Sequence, residues 1–285
     1  MLQFTNQAQL SYNGTVTNSN IAVGEILEVL SGTKTAVVDE YFLNDKVTYV
    51  ISIVNTSSTP YTNLTITDNL GSYVGPGVIS LNPLTYTAGS IRYYTNGILQ
   101  TAPLVVATTT LVIPAITVPA QGNAIIIYEA TANQFAPLEA NSIITNEATI
   151  TGLGIGTPIV VEAEITTTNS PILSITKSIN PVPVSENGTL TYTFVIQNTG
   201  NTAAVALDNV IITDTFDPIL EDITVLFNGT PWLLGANYTY DPITGIFQSL
   251  SGSITVPPAT FTQDAVTGAW ITSPGASTLI ISGTV

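Results

Sequence analysis

The residues Val47-Thr48-Tyr49-Val50-Ile51-Ser52-Ile53-Val54-Asn55 put Val47, Tyr49, Ile51 and Ile53 on one side of a strand, because successive side chains point to opposite faces. The pattern returns 143 residues later as Leu190-Thr191-Tyr192-Thr193-Phe194-Val195-Ile196-Gln197-Asn198. Thr33-Lys34 returns as Thr176-Lys177 at the same offset of 143, and Asn63–Asp68 returns as Asn209–Asp214 at 146. Ile116–Pro119 has its counterpart in Ile254–Pro257, and Ala124–Ile127 in Leu279–Ser282 at 155. Such a chain is one alternating pattern written twice, in units of about 140 residues. Thr, Val, Ile and Tyr dominate the alternating runs, while Gly, Pro, Asn and Asp punctuate them. No capped stretch of helical period interrupts them. The expectation is an all-β chain of two tandem β-sandwiches.

The two copies are cut at different places. Phe4-Thr5-Asn6-Gln7-Ala8-Gln9-Leu10 reads almost like Ile144-Thr145-Asn146-Glu147-Ala148-Thr149-Ile150. Ile21–Leu27 likewise corresponds to the apolar stretch Ile159–Ile165. The second copy, aligned near Ala130 at Val285, lacks both strands. The expected division is a donor-strand segment at 1–26, a first sandwich at 27–168, and a second at 169–285 without its last strand or strands. Leu2, Phe4, Asn6, Ala8 and Leu10 share one face of the N-terminal strand. Inserted into the second sandwich of a neighbouring copy, that face would close an open edge by β-augmentation. The contact is heterologous, so its default product is a filament of this chain with itself. The alternative is a strand that folds back on its own chain and leaves a monomer.

Thr-Lys, then Leu-Thr-Tyr-Thr-Phe-Val-Ile-Gln-Asn-Thr-Gly, then Val-Ile-Ile-Thr-Asp, then Thr-Asn-x-Ala-x-Ile, follow one another along the chain. This order resembles the conserved repeat domain (domain of unknown function eleven) of bacterial and archaeal surface proteins. The resemblance covers both copies. It implies immunoglobulin-like sandwiches, a structural role at the cell surface or outside the cell, and no enzyme activity. The chain departs from long surface proteins of that family in having two repeats and no wall anchor.

Lysine is scarce, yet Lys34 and Lys177 occupy equivalent positions. Each alternates onto an apolar face, as do Asp68 with Leu64 and Ile66, Asp214 with Val210 and Ile212, and Asn146 and Asn6 in their strands. Two trios follow: Lys34, Asp68 and Asn146 within a chain, and Lys177, Asp214 and Asn6 across the donated strand. Buried charges must be mutually satisfied. One reading is a Lys–Asp ion pair with a hydrogen-bonded Asn. The other is a Lys–Asn isopeptide bond, promoted by Asp68 or Asp214, which resembles the autocatalytic bonds of Gram-positive pilin and adhesin domains. Burial would lower the lysine pKa and raise that of the acid. Glu129 is a rival acid in the first copy.

Composition narrows the rest. Charged residues make up 8% of the chain and the net charge is −15, which disfavours nucleic acid and anionic membrane surfaces. No Cys or His is present, which removes disulfides, thiolate metal sites and the usual general base. No apolar run reaches a membrane span, and Met1-Leu2-Gln3-Phe4 does not read as a signal peptide. No metal, cofactor or enzymatic motif is expected. Acid clusters at Asp39-Glu40 and Glu162/Glu164 lack Ca²⁺-loop spacing. Tyr93-Tyr94, Trp232 and Trp270 leave open a monomeric adhesin or carbohydrate-binding module, and an S-layer component is a further alternative. The leading expectation is a filament subunit, pilus- or spore-appendage-like, on a cell or spore surface.

Overall fold

The computed structural model describes residues 2–26 and 28–285, and their regular structure is β apart from 3-10 turns at Pro76–Val78 and Ala206–Asp208. The expected all-β architecture of sandwich units holds, with two separate apolar cores.

An N-terminal arm comes first, with β1 (Leu2–Asn6), β2 (Gln9–Tyr12), β3 (Thr15–Asn18) and β4 (Ala22–Ile26). β2 turns into β3 through Asn13-Gly14, at φ +47° and +79°, the left-handed pair that a two-residue hairpin turn needs. β1 pairs β4 from Leu2↔Ile26 to Asn6↔Ala22, and β2 pairs β3 from Gln9↔Asn18 to Tyr12↔Thr15. The register slips between these ladders, and Gln7 and Ala8 fall outside the strands. There the Ala8 N–H donates to the Ser19 hydroxyl at 2.9 Å, and the Ala8 carbonyl accepts from the Ser19 N–H at 2.8 Å. The single strand expected over Phe4–Leu10 is therefore two strands around an irregularity, and it forms one side of a hairpin. Apart from half-buried Gly24, residues 3–25 are exposed. The Phe4 ring lies on Gly24, where a Cβ would meet the ring at 2.4 Å.

The first unit contains β5 (Leu30–Ala36), β6 (Lys46–Asn55), β7 (Tyr61–Asp68), β8 (Leu111–Val118), β9 (Gly122–Ala132), β10 (Ile143–Thr151) and β11 (Ile159–Thr167). One sheet runs β5-β6-β9 and continues through Arg92–Thr95 and Ile98–Gln100. The facing sheet runs β8-β7-β10-β11, with Val106–Ala107 beside β8 and Glu40–Tyr41 beside β11. Inward positions of both sheets, such as Ile51, Ile66, Ile126 and Ile150, are fully buried.

The second unit contains β12 (Leu173–Asn180), β13 (Thr189–Asn198), β14 (Thr213–Thr215), β15 (Glu221–Phe227), β16 (Ile246–Ser249), β17 (Thr260–Gln263), β18 (Trp270–Ser273) and β19 (Gly275–Thr284). One sheet runs β12-β13-β19-β15, and against it stand β14, β16 and Tyr238–Tyr240. Leu190, Phe194, Phe216, Phe247 and Leu279 pack between them. The expected strand Val210–Asp214 shrinks to β14, which begins at Thr213. Its first-unit counterpart β7 is held on both sides, by β8 and β10. Among the described residues, β14 pairs only with β16, so the stretch before it has no second ladder to extend it. Strand pairing also corrects one alignment: Tyr49 faces Tyr128 while Tyr192 faces Ile281. The last strand is therefore offset by 153 residues rather than 155. A two-residue slide preserves the period-2 pattern, which is why the sequence alone did not distinguish them.

The β17–β18 hairpin reaches the first unit. The Tyr73 hydroxyl accepts from Gln263 Nε2 at 2.8 Å and from Trp270 Nε1 at 3.2 Å, and donates to the Phe135 carbonyl at 2.7 Å. The Trp270 N–H donates to the Gln134 carbonyl at 2.9 Å, and Asn201 Nδ2 donates to the Leu138 carbonyl at 3.2 Å.

Candidate functional site

In the first unit, β5 brings Lys34, the end of β7 brings Asp68, β9 brings Tyr128 and β10 brings Asn146. Each sits at an inward position of an alternating strand, so the four polar groups converge within an apolar core. Lys34 Nζ donates to Asp68 Oδ2 at 2.7 Å, and both side chains are fully shielded from solvent. The Tyr128 hydroxyl donates to the same Asp68 oxygen at 2.5 Å and accepts from Asn146 Nδ2 at 3.0 Å. Asp68 Oδ1 accepts from the Leu70 N–H at 3.0 Å, and Asn146 Oδ1 accepts from the Gly71 N–H at 3.2 Å. Gly71 sits at φ +72°, and a Cβ there would lie 2.6 Å from Ile144 Cγ2. That close approach brings its N–H to the carboxamide.

Burial pulls the Lys34 amine down to about 8, against the opposing pull of Asp68. Burial pushes the Tyr128 hydroxyl well up, with Asp68 adding to the effect. The site thus combines an amine whose pKa burial lowers, a carboxylate hydrogen-bonded to it, and a carboxamide whose oxygen accepts a backbone N–H. This arrangement can support attack of the amine on the carboxamide. Glu129 is half-buried and follows Tyr128 in β9, so it points to the opposite face.

The second unit presents a partial counterpart. Lys177 on β12 donates to Asp214 Oδ2 on β14, and Lys177 Nζ lies 4.4 Å from the Tyr192 ring centroid and 5.5 Å from that of Phe216. Here the side chains are 39% and 18% exposed, against 0% for both in the first pair. The register position of Tyr128 is Ile281. Asn6 lies in the exposed arm. Within one chain the second site thus has two members, Lys177 and Asp214, both partly exposed; the third, Asn6, is the one expected from a neighbouring copy. The cause is local: β10 and β11 cover Lys34 and Asp68, and among the described residues nothing occupies their place beside Lys177 and Asp214.

The uncovered surface extends along β12. Its residues are all exposed, including Leu173 (37%), Ile175 (51%) and Ile179 (44%). In β5, Lys34 is buried and Leu30, Gly32 and Ala36 are half-buried. A Cβ at Gly32 would lie 3.0 Å from Ile150 and 3.1 Å from Val161, so β10 and β11 lie directly on β5.

The arm has the form of the covering hairpin. In β10–β11, Asn146 stands opposite Ala163; in the arm, Asn6 stands opposite Ala22. Phe4 and Leu10 are 53% and 64% exposed, and Ala8 is exposed as well. The Leu2 side chain lies outside the described residues.

The aromatic residues do not form one platform. Trp232 stacks on Phe227 within the second core, Tyr93 donates to the Thr117 carbonyl at 2.7 Å within the first unit, and Trp270 joins the two units. Sequence reasoning missed Tyr128. Its signal was an aromatic residue with a polar tip on an otherwise apolar face, which calls for a buried partner.

No family model matches the chain, and no curated protein matches it. Among solved structures, the chain is similar to the major pilin subunit BcpA of Bacillus cereus at 12% identity and a TM-score of 0.37, over 96% of this chain and 73% of that one. It is similar to the pilus backbone protein RrgB of Streptococcus pneumoniae at 12% identity and a TM-score of 0.35, over 86% of this chain and 55% of that one. A family 123 glycoside hydrolase from Clostridium perfringens matches at 9% identity and a TM-score of 0.31, over 50% of this chain and 28% of that one. The chain therefore spans about a quarter to three quarters of the length of these structures. Likenesses at this level assign neither fold nor function; the fold rests on the chain's own strand pairing.

Proposed function

We propose that the chain is a structural subunit of an extracellular protein filament, on a cell or spore surface, in which the arm of one copy fills the second unit of the next. One observation supports this above all. The first unit is covered by the β10–β11 hairpin, the second has no such hairpin among its described residues, and the arm is an exposed hairpin with the same Asn-opposite-Ala pair. Insertion would place β1 along the free side of β14 and return β4 over β12. Asn6 would then stand beside Lys177 and Asp214, as Asn146 stands beside Lys34 and Asp68. Burying Phe4 and Leu10 would contribute roughly 1.5–3 kcal/mol each, and each added ladder hydrogen bond about 1 kcal/mol.

Both lysines are candidates for isopeptide bonds, Lys34 to Asn146 within a copy and Lys177 to Asn6 between copies. The second bond would make the filament resist boiling detergent. In this reading the chain performs no catalysis beyond forming its own cross-links.

Electron microscopy of the full chain and of a chain lacking residues 1–26 tests the proposal. Filaments are expected from the first and dispersed particles from the second. Filaments of unchanged form from the shortened chain would refute donation by the arm. A full chain that stays monomeric at every concentration would favour an arm folded on its own second unit.

A further inference from the structure

We propose that Tyr128 is a catalytic residue of the first unit's cross-link, relaying a proton from Asp68 to the nitrogen that leaves Asn146. The inference rests on the isopeptide reading above and adds a group that neither the Lys–Asp–Asn trio nor its second-unit counterpart contains.

The geometry forms a continuous path. Lys34 Nζ contacts Asp68 Oδ2 at 2.7 Å, that oxygen contacts the Tyr128 hydroxyl at 2.5 Å, and the hydroxyl contacts Asn146 Nδ2 at 3.0 Å. The described hydrogen bonds of Asp68 go to Lys34, Tyr128 and the Leu70 N–H, and none goes to Asn146. Asp68 is therefore placed to take a proton from the amine but not to hand it directly to the leaving nitrogen. Tyr128 touches both. Its ring stacks on Tyr49 at a centroid distance of 5.4 Å, which holds the hydroxyl in the core.

In the step, Lys34 first releases one proton to bulk water, which leaves Asp68 ionised; the neutral amine then attacks Asn146 Cγ, and an Nζ–Cγ bond forms. The negative charge that develops on Oδ1 meets the Gly71 N–H, at 3.2 Å in the resting state. Nζ gives a proton to Asp68. Before attack, the planar amide nitrogen has no basic lone pair, so it donates to Tyr128. After attack it is an amine and can accept. The hydrogen bond then reverses: Tyr128 gives its hydroxyl proton to Nδ2 and regains one from Asp68. The Cγ–Nδ2 bond breaks and ammonia leaves, with Asp68 and Tyr128 restored.

The second unit places Ile281 at the register position of Tyr128, so it has no such hydroxyl. Any bond at Lys177 would need another donor, Asp214, Tyr192 or water, to protonate the leaving nitrogen, and should form more slowly at equal occupancy.

The test follows intact mass over time after cell-free synthesis of the full chain carrying Lys177→Arg, so that only the first unit can react. This chain should lose one ammonia. Adding Tyr128→Phe, which keeps the ring, should slow the loss about 100-fold or more, the usual scale for removing a general acid. Fluorotyrosine at position 128 acidifies the hydroxyl while nearly preserving its shape, and should change the rate even if the Phe variant folds poorly. Unchanged rates for the fluorotyrosine chain, or for a folded Phe variant, would overturn the relay while leaving the bond intact. No ammonia loss from the Lys177→Arg chain itself would overturn the bond, and the relay with it.

Discussion

The two units place the same Lys–Asp pair in different surroundings. Lys34 and Asp68 are sealed from water, whereas Lys177 and Asp214 are 39% and 18% exposed. Their strands start from similar sequence: Thr33-Lys34 and Thr176-Lys177 stand in β5 and β12, and each lysine faces the corresponding residue of the next strand, Ile51 or Phe194. What differs is the covering hairpin. β10 and β11 lie on β5 and on the end of β7, and the second unit has nothing equivalent among its described residues. One missing layer therefore accounts for an exposed lysine, an exposed β12 and a shortened β14. It also shows that burial of an ionic pair in a sandwich depends on its last strands as much as on the residues of the pair.

The sharpest way to test that comparison is to remove the acid from each site in separate chains. Asp68→Ala leaves Lys34 buried without its counter-ion and should destabilise the first unit by about 3–5 kcal/mol. Asp214→Ala in the dispersed chain should cost only about 0–1 kcal/mol, because the pair reaches solvent. Denaturant titration measures both, and equal losses would break the comparison. The pH response has a defined sign. An unreacted Lys34 titrates near 8 in the folded chain, below its ordinary value of 10.5. Its burial as a cation therefore opposes folding in full below about 8, and that opposition fades as the pH rises toward 10.5.

A smaller effect tests the arm as the missing layer. Phe4→Ala should weaken assembly by roughly 1.5–3 kcal/mol, read as a higher critical concentration, with no change in the stability of the dispersed units. A change in the stability of the dispersed chain instead would mean that the arm already packs on its own units. The smallest effect concerns the joint between the units. Trp270→Phe removes the indole donor to Tyr73 but keeps the backbone bond to Gln134, and should cost about 0.5–1.5 kcal/mol. Small-angle scattering should show a broader spread of inter-unit angles.

Much of this difference could be read from the sequence. Alternation placed Lys34, Asp68 and Asn146 on inward faces, and Phe4–Leu10 matches Ile144–Ile150, a strand with no counterpart in the second unit among the described residues. Three features could not be read in the same way. The slip at Gln7-Ala8 arises from pairing with Ser19, a cross-strand interaction that no local pattern encodes. Val210–Ile212 have strand propensity, but a strand needs neighbours on its edges, and β14 has one. Alternation places Tyr128 on an inward face, but its meeting with Asp68 and Asn146 depends on how β9 faces β7 and β10 across the core, which no local pattern encodes.

The most direct measurement is a cryo-electron microscopy map of assembled filaments. The account predicts β1 of one copy beside β14 of its neighbour, β4 over the neighbour's β12, and Asn6 next to Lys177 and Asp214. An arm lying on its own second unit, or a filament contact that leaves β12 bare, would contradict it.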